Sequence, residues 1–232
     1  IWLTSAPVAD LWPDDAAMSC RIVARVRPRL EHGREASEEE AVRQISANQL
    51  SVHATGAYGS AYDVDQALFG ADQHDMWSTL GSSLLQTLLD GRSATVLAIG
   101  PSGGGKDYTL SGTEDAPGLA PRLLSALCDY CSGARPEVRL ELSMVEVYFD
   151  RAYDLLAPRV EPRAPLDVTD GSGMHPPCWF GTGADEQLID CWHAVASFEQ
   201  AEELRKLGDA QRTTRPTALG ARCARGQTLL FI

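Results

Sequence analysis

A short apolar run that leads directly into a glycine-rich loop constrains this chain more than any other feature. The run is residues 95–99 (TVLAI), and the loop is residues 100–107 (GPSGGGKD). Such a run is typical of a strand buried in a parallel sheet. A strand that feeds a glycine-rich loop and then a helix is the arrangement in which backbone N–H groups converge on phosphate oxygens. The segment therefore predicts an α/β domain with a phosphate-binding loop.

The loop matches the pattern G-x-x-x-x-G-K-[ST] at every specified position except the last. Its small residues let the backbone approach a polyanion, and the lysine adds a mobile positive charge. A flexible glycine-rich turn with an incidental lysine is the alternative, and the preceding strand favours the phosphate loop. The residues of this segment that we expect to contact a nucleotide are Pro101, Ser102, Gly103, Gly104, Gly105, Lys106, Asp107 and Tyr108.

Asp107 is the residue that departs from the pattern. The position after the lysine normally offers a neutral hydroxyl to Mg²⁺, whereas Asp107 places a carboxylate beside a polyanion. At an effective dielectric of about 20, two unit charges ~4 Å apart interact by about 4 kcal/mol. Uncompensated, that repulsion would weaken nucleotide binding by roughly two to three powers of ten. The loop thus predicts ATP or ADP as cofactor and argues against Mg²⁺, unless the carboxylate coordinates the metal directly.

The composition limits the partners that this chain is expected to have. A formal net charge of -12 over 232 residues argues against nucleic acid, which selects basic patches. The longest apolar runs, such as residues 96–99, fall far short of the ~20 residues of a membrane helix, so we expect a cytosolic protein without a membrane partner. Cys128 and Cys131 form C-x-x-C without a second ligand pair, so no metal site is expected there.

Hydrophobic periodicity predicts strands that alternate with helices along the chain. The predicted strands are residues 21–26, 138–148 and 228–232. The predicted loops are residues 157–165 and 171–183, and residues 31–41 are predicted to be a solvated loop or helix edge. The predicted helices are residues 75–89, residues 118–131 and a helix that Ser197 and Gln200 begin and Gly208 ends. Because the chain begins at Ile1 and stops in a predicted strand, we expect it to be part of a longer protein.

Residues around the loop resemble the motor domain of kinesins. Residues 95–109 (TVLAIGPSGGGKDYT) resemble the kinesin segment that reads roughly TVFAYGQTGSGKTYT. Residues 25–28 (RVRP) resemble the first-strand motif R-x-R-P, whose arginine and proline flank the adenine. The resemblance therefore implies nucleotide contacts by Arg25, Arg27 and Pro28. For Arg27, a surface ion pair is the alternative.

Further landmarks follow in the order of the family and extend the resemblance over residues 21–232. Residues 62–69 (YDVDQALF) resemble the F-x-F-D-x-V-F strand, and Trp77 takes the place of the aromatic residue that stacks on the base. Packing of Trp77 in the core is the alternative. Residues 118–122 (GLAPR) resemble G-I-I-P-R, and residues 143–156 (SMVEVYFDRAYDLL) resemble S-x-x-E-I-Y-N-E-x-v-x-D-L-L.

The resemblance implies a kinesin-type motor fold of the P-loop NTPase class. That fold is α/β, with a central, mostly parallel sheet and helices on both faces, and we expect it to be incomplete at the C-terminus. Residues 1–17 are interpreted as a lead-in segment and residues 18–232 as a partial motor domain. The family's second switch and its main microtubule-binding elements would follow the last residue of the chain.

Residues 212–232 align without a gap on the family's first switch, where N-x-x-S-S-R-S-H follows a threonine. In the family this segment closes over the γ-phosphate and helps to hold Mg²⁺ and the attacking water. Thr217 and Arg225 are retained. The asparagine, the three serines and the histidine of the pattern are replaced, in order, by Gly220, Cys223, Ala224, Gly226 and Gln227. The resemblance therefore implies no catalytic residue and no metal ligand in this segment.

Two functions of different classes remain open from the sequence. The first is a structural or scaffolding pseudo-motor that docks on microtubules (tubulin) or on microtubule-associated proteins, with little or no ATP hydrolysis. The second is an active ATP-dependent microtubule motor with an unusual magnesium shell. An unrelated phosphate-loop kinase is disfavoured, because the other landmarks would then be coincidences. The resemblance implies a location on the cytoskeleton in the cytoplasm and allows a dimer through regions outside this chain. A structural role, for example in a ciliary axoneme, would suit a motor that need not step.

Overall fold

The computed structural model describes residues 2–5, 19–29, 41–53, 59–133, 138–149, 151–158, 192–217 and 220–232. Of the predicted loops, residues 31–40, 159–165 and 171–183 lie outside the described residues. The chain divides into two compact units, Ile1–Arg122 and Leu123–Ile232. Among the described helices, none combines the length and the apolar character needed to cross a membrane.

Both units contain strands and helices, which confirms the predicted α/β class. The strands are β1 (Trp2–Ser5), β2 (Ser19–Val26), β3 (Val42–Ser46), β4 (Gln49–Val52), β5 (Ser60–Asp63), β6 (Gln66–Phe69), β7 (Thr95–Leu97), β8 (Leu140–Tyr148), β9 (Arg151–Asp154), β10 (His193–Val195), β11 (Thr214–Thr217), β12 (Gly220–Ala224) and β13 (Gln227–Phe231). The helices are α1 (Gln73–Met76), α2 (Ser82–Leu89), α3 (Lys106–Leu110), α4 (Leu119–Gly133) and α5 (Phe198–Gln211). A π-helical turn, Trp77–Gly81, joins α1 to α2.

The first unit contains a four-stranded sheet in the order β6-β2-β1-β7. Strands β2 and β6 are parallel, and β1 is antiparallel to both of its neighbours. Val23 of β2 is almost wholly buried against Met76, Leu80 and Leu119 from the helices of the unit. A second sheet, β3-β4-β5, is antiparallel. Apolar contact between β2 and the helices therefore forms the core that supports the glycine-rich loop.

The strand before the loop differs from its prediction as a buried member of a parallel sheet. Strand β7 is antiparallel to β1 and ends the order of this sheet among the described strands. Leu97 and Ile99 are 50% and 60% exposed. The prediction of a buried parallel strand at residues 95–99 is wrong because an apolar run reports only a preference for burial. The number and direction of neighbouring strands depend on distant parts of the chain.

The predicted helix at residues 75–89 is confirmed, and it begins earlier than predicted. Asp72 is its N-cap, because its carboxylate accepts from the backbone N–H of Asp75 at 2.8 Å while the Asp75 carboxylate accepts from the N–H of Asp72 at 3.0 Å. The π-helical turn follows, and the ring of Trp77 lies against Gly81, where a Cβ would be 2.0 Å from a ring carbon. A small residue at position 81 therefore permits this packing.

The segment that resembles one family strand, residues 62–69, is divided between two sheets. Strand β5 pairs with β4, and strand β6 pairs with β2. The break falls at Asp65, whose carboxylate accepts from the backbone N–H of Ile22 at 2.6 Å and whose own N–H donates to the Ile22 carbonyl at 2.9 Å. These two hydrogen bonds turn the chain from one sheet to the other.

Strand β8 forms the middle of the second unit. It pairs with β10, β13 and β9, all antiparallel, and its residues from Leu142 to Glu146 are consecutively buried. On one face of β8, Leu142 and Met144 pack in a cluster that includes Ala201 of α5. On the other face, Val145 packs against Ala152. The predicted strand at residues 138–148 is confirmed, and it is buried on both faces.

Helix α5 confirms one predicted boundary and contradicts the other. The Ser197 hydroxyl accepts from the backbone N–H of Gln200 at 3.3 Å, as an N-cap does. Gly208 does not end the helix, which continues to Gln211. A Cβ at Gly208 would lie 2.2 Å from the sulfur of Met144, so the glycine is explained by close packing on β8 rather than by a C-cap.

Replacing Gly112 by alanine is expected to destabilise the chain by roughly 1–3 kcal/mol more than replacing Gly91. Both glycines have left-handed φ angles, 72° and 74°. A Cβ at Gly112 would lie 2.3 Å from the carbonyl of Ala116 and from the N–H of Gly118, whereas nothing lies within 4 Å of a Cβ at Gly91. Urea unfolding followed by circular dichroism measures both variants. Equal losses would mean that left-handed strain alone, and not crowding, determines the effect.

Candidate nucleotide-binding site

The glycine-rich loop forms a tight turn directly before a helix. Gly103 and Gly105 have φ angles of 75° and 88°, which residues with a Cβ rarely adopt. The backbone N–H of Gly104 donates to the carbonyl of Pro101 at 3.0 Å and closes the turn. Pro101, Ser102 and Gly103 are exposed, and α3 begins at Lys106. The backbone conformation and exposure therefore agree with a loop that can approach a phosphate group.

Lys106 lies against the backbone of the loop that precedes it. Its ammonium group donates to the carbonyl oxygens of Gly100 at 2.8 Å and Pro101 at 2.9 Å. A positive charge at this place is what the phosphate-loop pattern requires.

Asp107 and Tyr108 follow in the first turn of α3 with exposed side chains. The carboxylate of Asp107 is favourable for the helix, because the N-terminal end of a helix carries partial positive charge. The same carboxylate opposes a bound polyanion. The structure therefore places one positive and one negative residue in succession at the start of α3.

Arg27 is brought to the loop from the end of β2. Its Nε donates to the carbonyl of Gly103 at 3.0 Å, and its Nη1 donates to the carbonyl of Pro28 at 3.0 Å. Its Cδ would lie 3.9 Å from a Cβ at Gly105. Arg27 of the predicted R-x-R-P residues thus lies beside the predicted phosphate loop, and the carbonyl of Pro28 accepts from its guanidinium.

Arg25 is directed to helices rather than along the loop. Its guanidinium donates to the side chain of Gln73 at 3.1 Å, to the hydroxyl of Thr109 at 3.0 Å and to the carbonyl of Ala71 at 2.8 Å. It also lies 5.2 Å from the centre of the Tyr108 ring. Burial lowers the pKa of Arg25, and the neighbouring Tyr108 and acidic groups act in the opposite direction.

Trp77 is half-buried at the helical segment that follows Asp72. Its described contacts are with the apolar cluster around Val23, Met76 and Leu80, and with Gly81. The core packing that was the alternative for this residue is therefore present. Stacking of Trp77 on a base stays a prediction.

The segment that aligns with the first switch forms a hairpin in the second unit. Strands β11 and β12 pair antiparallel, and the backbone N–H of Arg225 donates to the carbonyl of Thr213 at 3.0 Å at the open end of the hairpin. Glu146 of β8 is wholly buried and accepts from the backbone N–H and the hydroxyl of Thr213, both at 2.8 Å. A Cβ at Gly226 would lie 2.6 Å from the Cγ of Glu146. Glu146 thus holds the open end of this hairpin against β8 through Thr213.

Sequence reasoning missed two buried polar side chains, Glu146 and Gln73. Glu146 stands between two valines in a strand with apolar neighbours, and an acid at such a place signals a buried charge with partners. Gln73 follows the capping residue Asp72 and had no comparable signal. The partners of both side chains are recognised only from the hydrogen bonds in the folded chain.

Comparison with known proteins gives consistent results over most of the chain. The family model of the kinesin motor domain matches residues 25–232. The Kinesin-like protein KIN-10C of Oryza sativa subsp. japonica is 32% identical over 221 residues, which are 91% of this chain and 35% of that protein. The Kinesin-like protein KIF13B of Homo sapiens is 32% identical over 165 residues, or 70% of this chain and 8% of that protein. The chain thus spans about a third or less of these relatives.

Solved structures show the same fold. A KIF14 dimer in the two-heads-bound state, with AMP-PNP and in complex with a microtubule, matches with a TM-score of 0.71 at 21% identity. The match covers 90% of this chain and 59% of that one. KIF14 with ADP in complex with a microtubule matches with a TM-score of 0.65 at 22% identity, over 90% and 60% of the two chains. The motor fold predicted from the sequence is confirmed.

Proposed function

The chain belongs to the kinesin motor domain family, and on that premise we propose that it is part of a microtubule-associated pseudo-motor with a degenerate nucleotide site. Asp107 is the observation that carries the proposal. It is exposed in the first turn of α3, directly after Lys106, at the position where the phosphate-loop pattern has a hydroxyl. Residues 18–232 are proposed to be the partial motor domain, and residues 1–17 a lead-in segment.

Nucleotide binding is supported by what the loop retains. The left-handed glycines, the exposed turn and the lysine of the motif fit ATP or ADP held through its phosphates. Within this site the proposed contacts to the phosphates come from the loop and α3. The proposed contacts to the base come from Arg27, Pro28 and Trp77. The residues of this set are Pro101, Ser102, Gly103, Gly104, Gly105, Lys106, Asp107, Tyr108, Arg27, Pro28 and Trp77. Arg25, for which the resemblance also implies a nucleotide contact, donates to side chains of α1 and α3.

Magnesium fits these residues less well than nucleotide does. The neutral hydroxyl of the pattern is absent at position 107, and a carboxylate there repels the phosphates that a metal would bridge. Within the segment that resembles the first switch, Gly220, Ala224 and Gly226 replace residues that carry side-chain donors and acceptors. Phosphoryl transfer depends on positioning and on charge stabilisation, and loss in both segments removes most of the means of hydrolysis.

Microtubules, or proteins associated with them, are the proposed partner. The support is the family and the two KIF14 structures, which are complexes with a microtubule. Because this chain carries a net charge of -12, docking on an acidic filament would require a basic face in other parts of the protein. A static role on the cytoskeleton, of which a ciliary axoneme is one example, suits a motor domain that does not step. A dimer would form through regions outside these residues.

Phosphate release from the full-length protein with microtubules tests this proposal. Turnover is expected to be at least roughly 100-fold slower than that of an ordinary kinesin measured in parallel, as for the loss of a main transition-state contact. Microtubule co-sedimentation is expected to be the same with ATP, with ADP and without nucleotide. Turnover at the rate of the control, together with ATP-dependent release from microtubules, would instead establish the active motor. In that case direct coordination of Mg²⁺ by Asp107 becomes the explanation.

A further inference from the structure

Arg25 connects three elements of the first unit, and its contacts suggest a role that the R-x-R-P resemblance does not include. We propose that Arg25 is a positioning residue that holds α3, and with it Lys106 and Asp107, on β2. It would act through α3 and would not contact the nucleotide. This inference rests on the proposed nucleotide binding by the loop, and it assigns the residue a different part in that binding.

The guanidinium of Arg25 occupies its donors on the helical side. Nη1 donates to the Thr109 hydroxyl at 3.0 Å and to the Gln73 side chain at 3.1 Å, and Nη2 donates to the Ala71 carbonyl at 2.8 Å. Its planar group lies 5.2 Å from the centre of the Tyr108 ring, within the range of a cation–π contact. Arg25 thus contacts Tyr108 and Thr109, two successive residues of α3 that directly follow the loop.

Gln73 completes the connection between α1 and α3. Its side-chain carbonyl accepts from Arg25, and its amide donates to the backbone carbonyl of Tyr108 at 2.5 Å. Gln73 and Thr109 are each only 4% exposed. Buried polar groups that satisfy one another in this way define a single arrangement, because any displacement leaves a donor or acceptor without a partner.

Helix α3 is short and has no side-chain cap, so it depends on contacts with other elements. It has five residues, Gly105 before it is left-handed, and no side chain caps its first turn. A helix this short is not stable by its own hydrogen bonds, so its contacts determine its direction. Lys106 and Asp107 lie in that first turn, and Thr109 and Tyr108 follow within the same helix. Contacts at the end of α3 therefore determine where the two charged side chains lie.

Arg21 supplies a matched control on the same strand and face, four residues before Arg25. It is also half-buried, and it donates to the carbonyl of Thr79 at 2.9 Å and to the side chain of Gln66 at 3.0 Å. Neither partner belongs to α3. A substitution at Arg21 therefore removes a comparable arginine from β2 without touching the helix that carries Lys106.

The test compares Arg25→Met and Arg21→Met in the chain by titration with a fluorescent ADP analogue, with inorganic pyrophosphate and adenosine as competitors. Arg25→Met is expected to weaken the binding of the ADP analogue and of pyrophosphate by roughly tenfold. This is the effect of removing a residue that supports a ligand-binding group. The affinity of Arg25→Met for adenosine should not change. Arg21→Met is expected to lower the melting temperature and leave all three affinities within twofold of the unmodified chain. An equal loss for adenosine would overturn the proposal in favour of direct contact with the base.

The pair Thr109→Val and Thr109→Ser gives a second, milder measurement in case Arg25→Met does not fold. Valine removes the hydroxyl that accepts from Arg25, and serine keeps it. The valine variant is expected to weaken pyrophosphate binding, and the serine variant to restore it. A melting temperature that falls in Thr109→Val with unchanged pyrophosphate affinity would show a purely structural role and refute positioning.

Amide hydrogen exchange separates failure of this inference from failure of the proposed function. If the unmodified chain binds neither ADP nor pyrophosphate, the proposed nucleotide binding is wrong. Exchange of the Thr109 amide, which donates to the Gly105 carbonyl at 2.9 Å, still reports whether α3 is held. Arg25→Met is expected to accelerate that exchange at least tenfold and Arg21→Met to leave it unchanged. Equal exchange in the two variants would overturn the positioning of α3 by Arg25.

Discussion

Replacing Asp107 by threonine is expected to tighten ATP binding in the presence of Mg²⁺ by roughly 100- to 1000-fold. The change removes a negative charge from the first turn of α3, next to Lys106, and restores the hydroxyl of the phosphate-loop pattern. A fluorescent ATP analogue, titrated with Mg²⁺ and again with a chelator, measures the effect. Hydrolysis should remain slow, because the segment that resembles the first switch is unchanged.

Two further variants divide this effect into its causes. Asp107→Asn removes the charge without adding the hydroxyl. In the presence of chelator, it should therefore give most of the increase in ATP affinity that Asp107→Thr gives. Asp115→Asn removes an exposed carboxylate that lies beyond α3 and should change neither titration. Weaker binding by Asp107→Thr with Mg²⁺ would show that the carboxylate coordinates the metal, which contradicts a degenerate site.

Replacing Glu146 by alanine is expected to destabilise the chain by roughly 3–5 kcal/mol, as for the loss of one partner from a buried charged hydrogen-bond network. The carboxylate is wholly buried and accepts from the N–H and hydroxyl of Thr213. Alanine would leave both donors without this acceptor and would open a cavity beside Gly226, which is packed on Glu146. The midpoint of urea unfolding measures the loss.

Glu141→Ala is the control for Glu146→Ala, because it removes the same side chain from the same strand at an exposed position. Its effect should lie within about 0.5 kcal/mol of zero. Comparable losses in the two variants would mean that Glu146 contributes no more than a surface carboxylate. The hairpin of β11 and β12 would then be held by its other contacts.

Local chemistry explains why parts of the fold and the site could be predicted. The helix at residues 73–89 is predicted by leucines at helical spacing. The start of α5 is predicted by Ser197, whose hydroxyl accepts from the backbone N–H of Gln200. The glycine-rich loop is recognisable because a turn beside a phosphate needs small residues wherever it occurs. The conflict between the Asp107 carboxylate and a bound phosphate can be inferred from the residue that follows Lys106 and needs no tertiary information.

Predictions failed where the outcome depended on residues far along the chain. The sequence pattern predicts a helix end at Gly208, but the sulfur of Met144 requires a glycine within the helix. The apolar run at residues 95–99 predicts a buried parallel strand, but β1, from the start of the chain, pairs antiparallel with β7. In both cases the local pattern does not indicate which distant residue or strand will lie next to the segment.

By itself, the amino-acid sequence determined the family, the glycine-rich loop with its lysine, and the carboxylate that sets this loop apart from the phosphate-loop pattern. Only the tertiary structure decided that Arg25 faces Thr109, 84 residues away, and that Glu146 receives Thr213, 67 residues away. The physical reason is that the two kinds of interaction act over different separations along the chain. Caps, turns and periodicity act over a few neighbouring residues, whereas a buried polar side chain is stable only with partners that the fold brings to it.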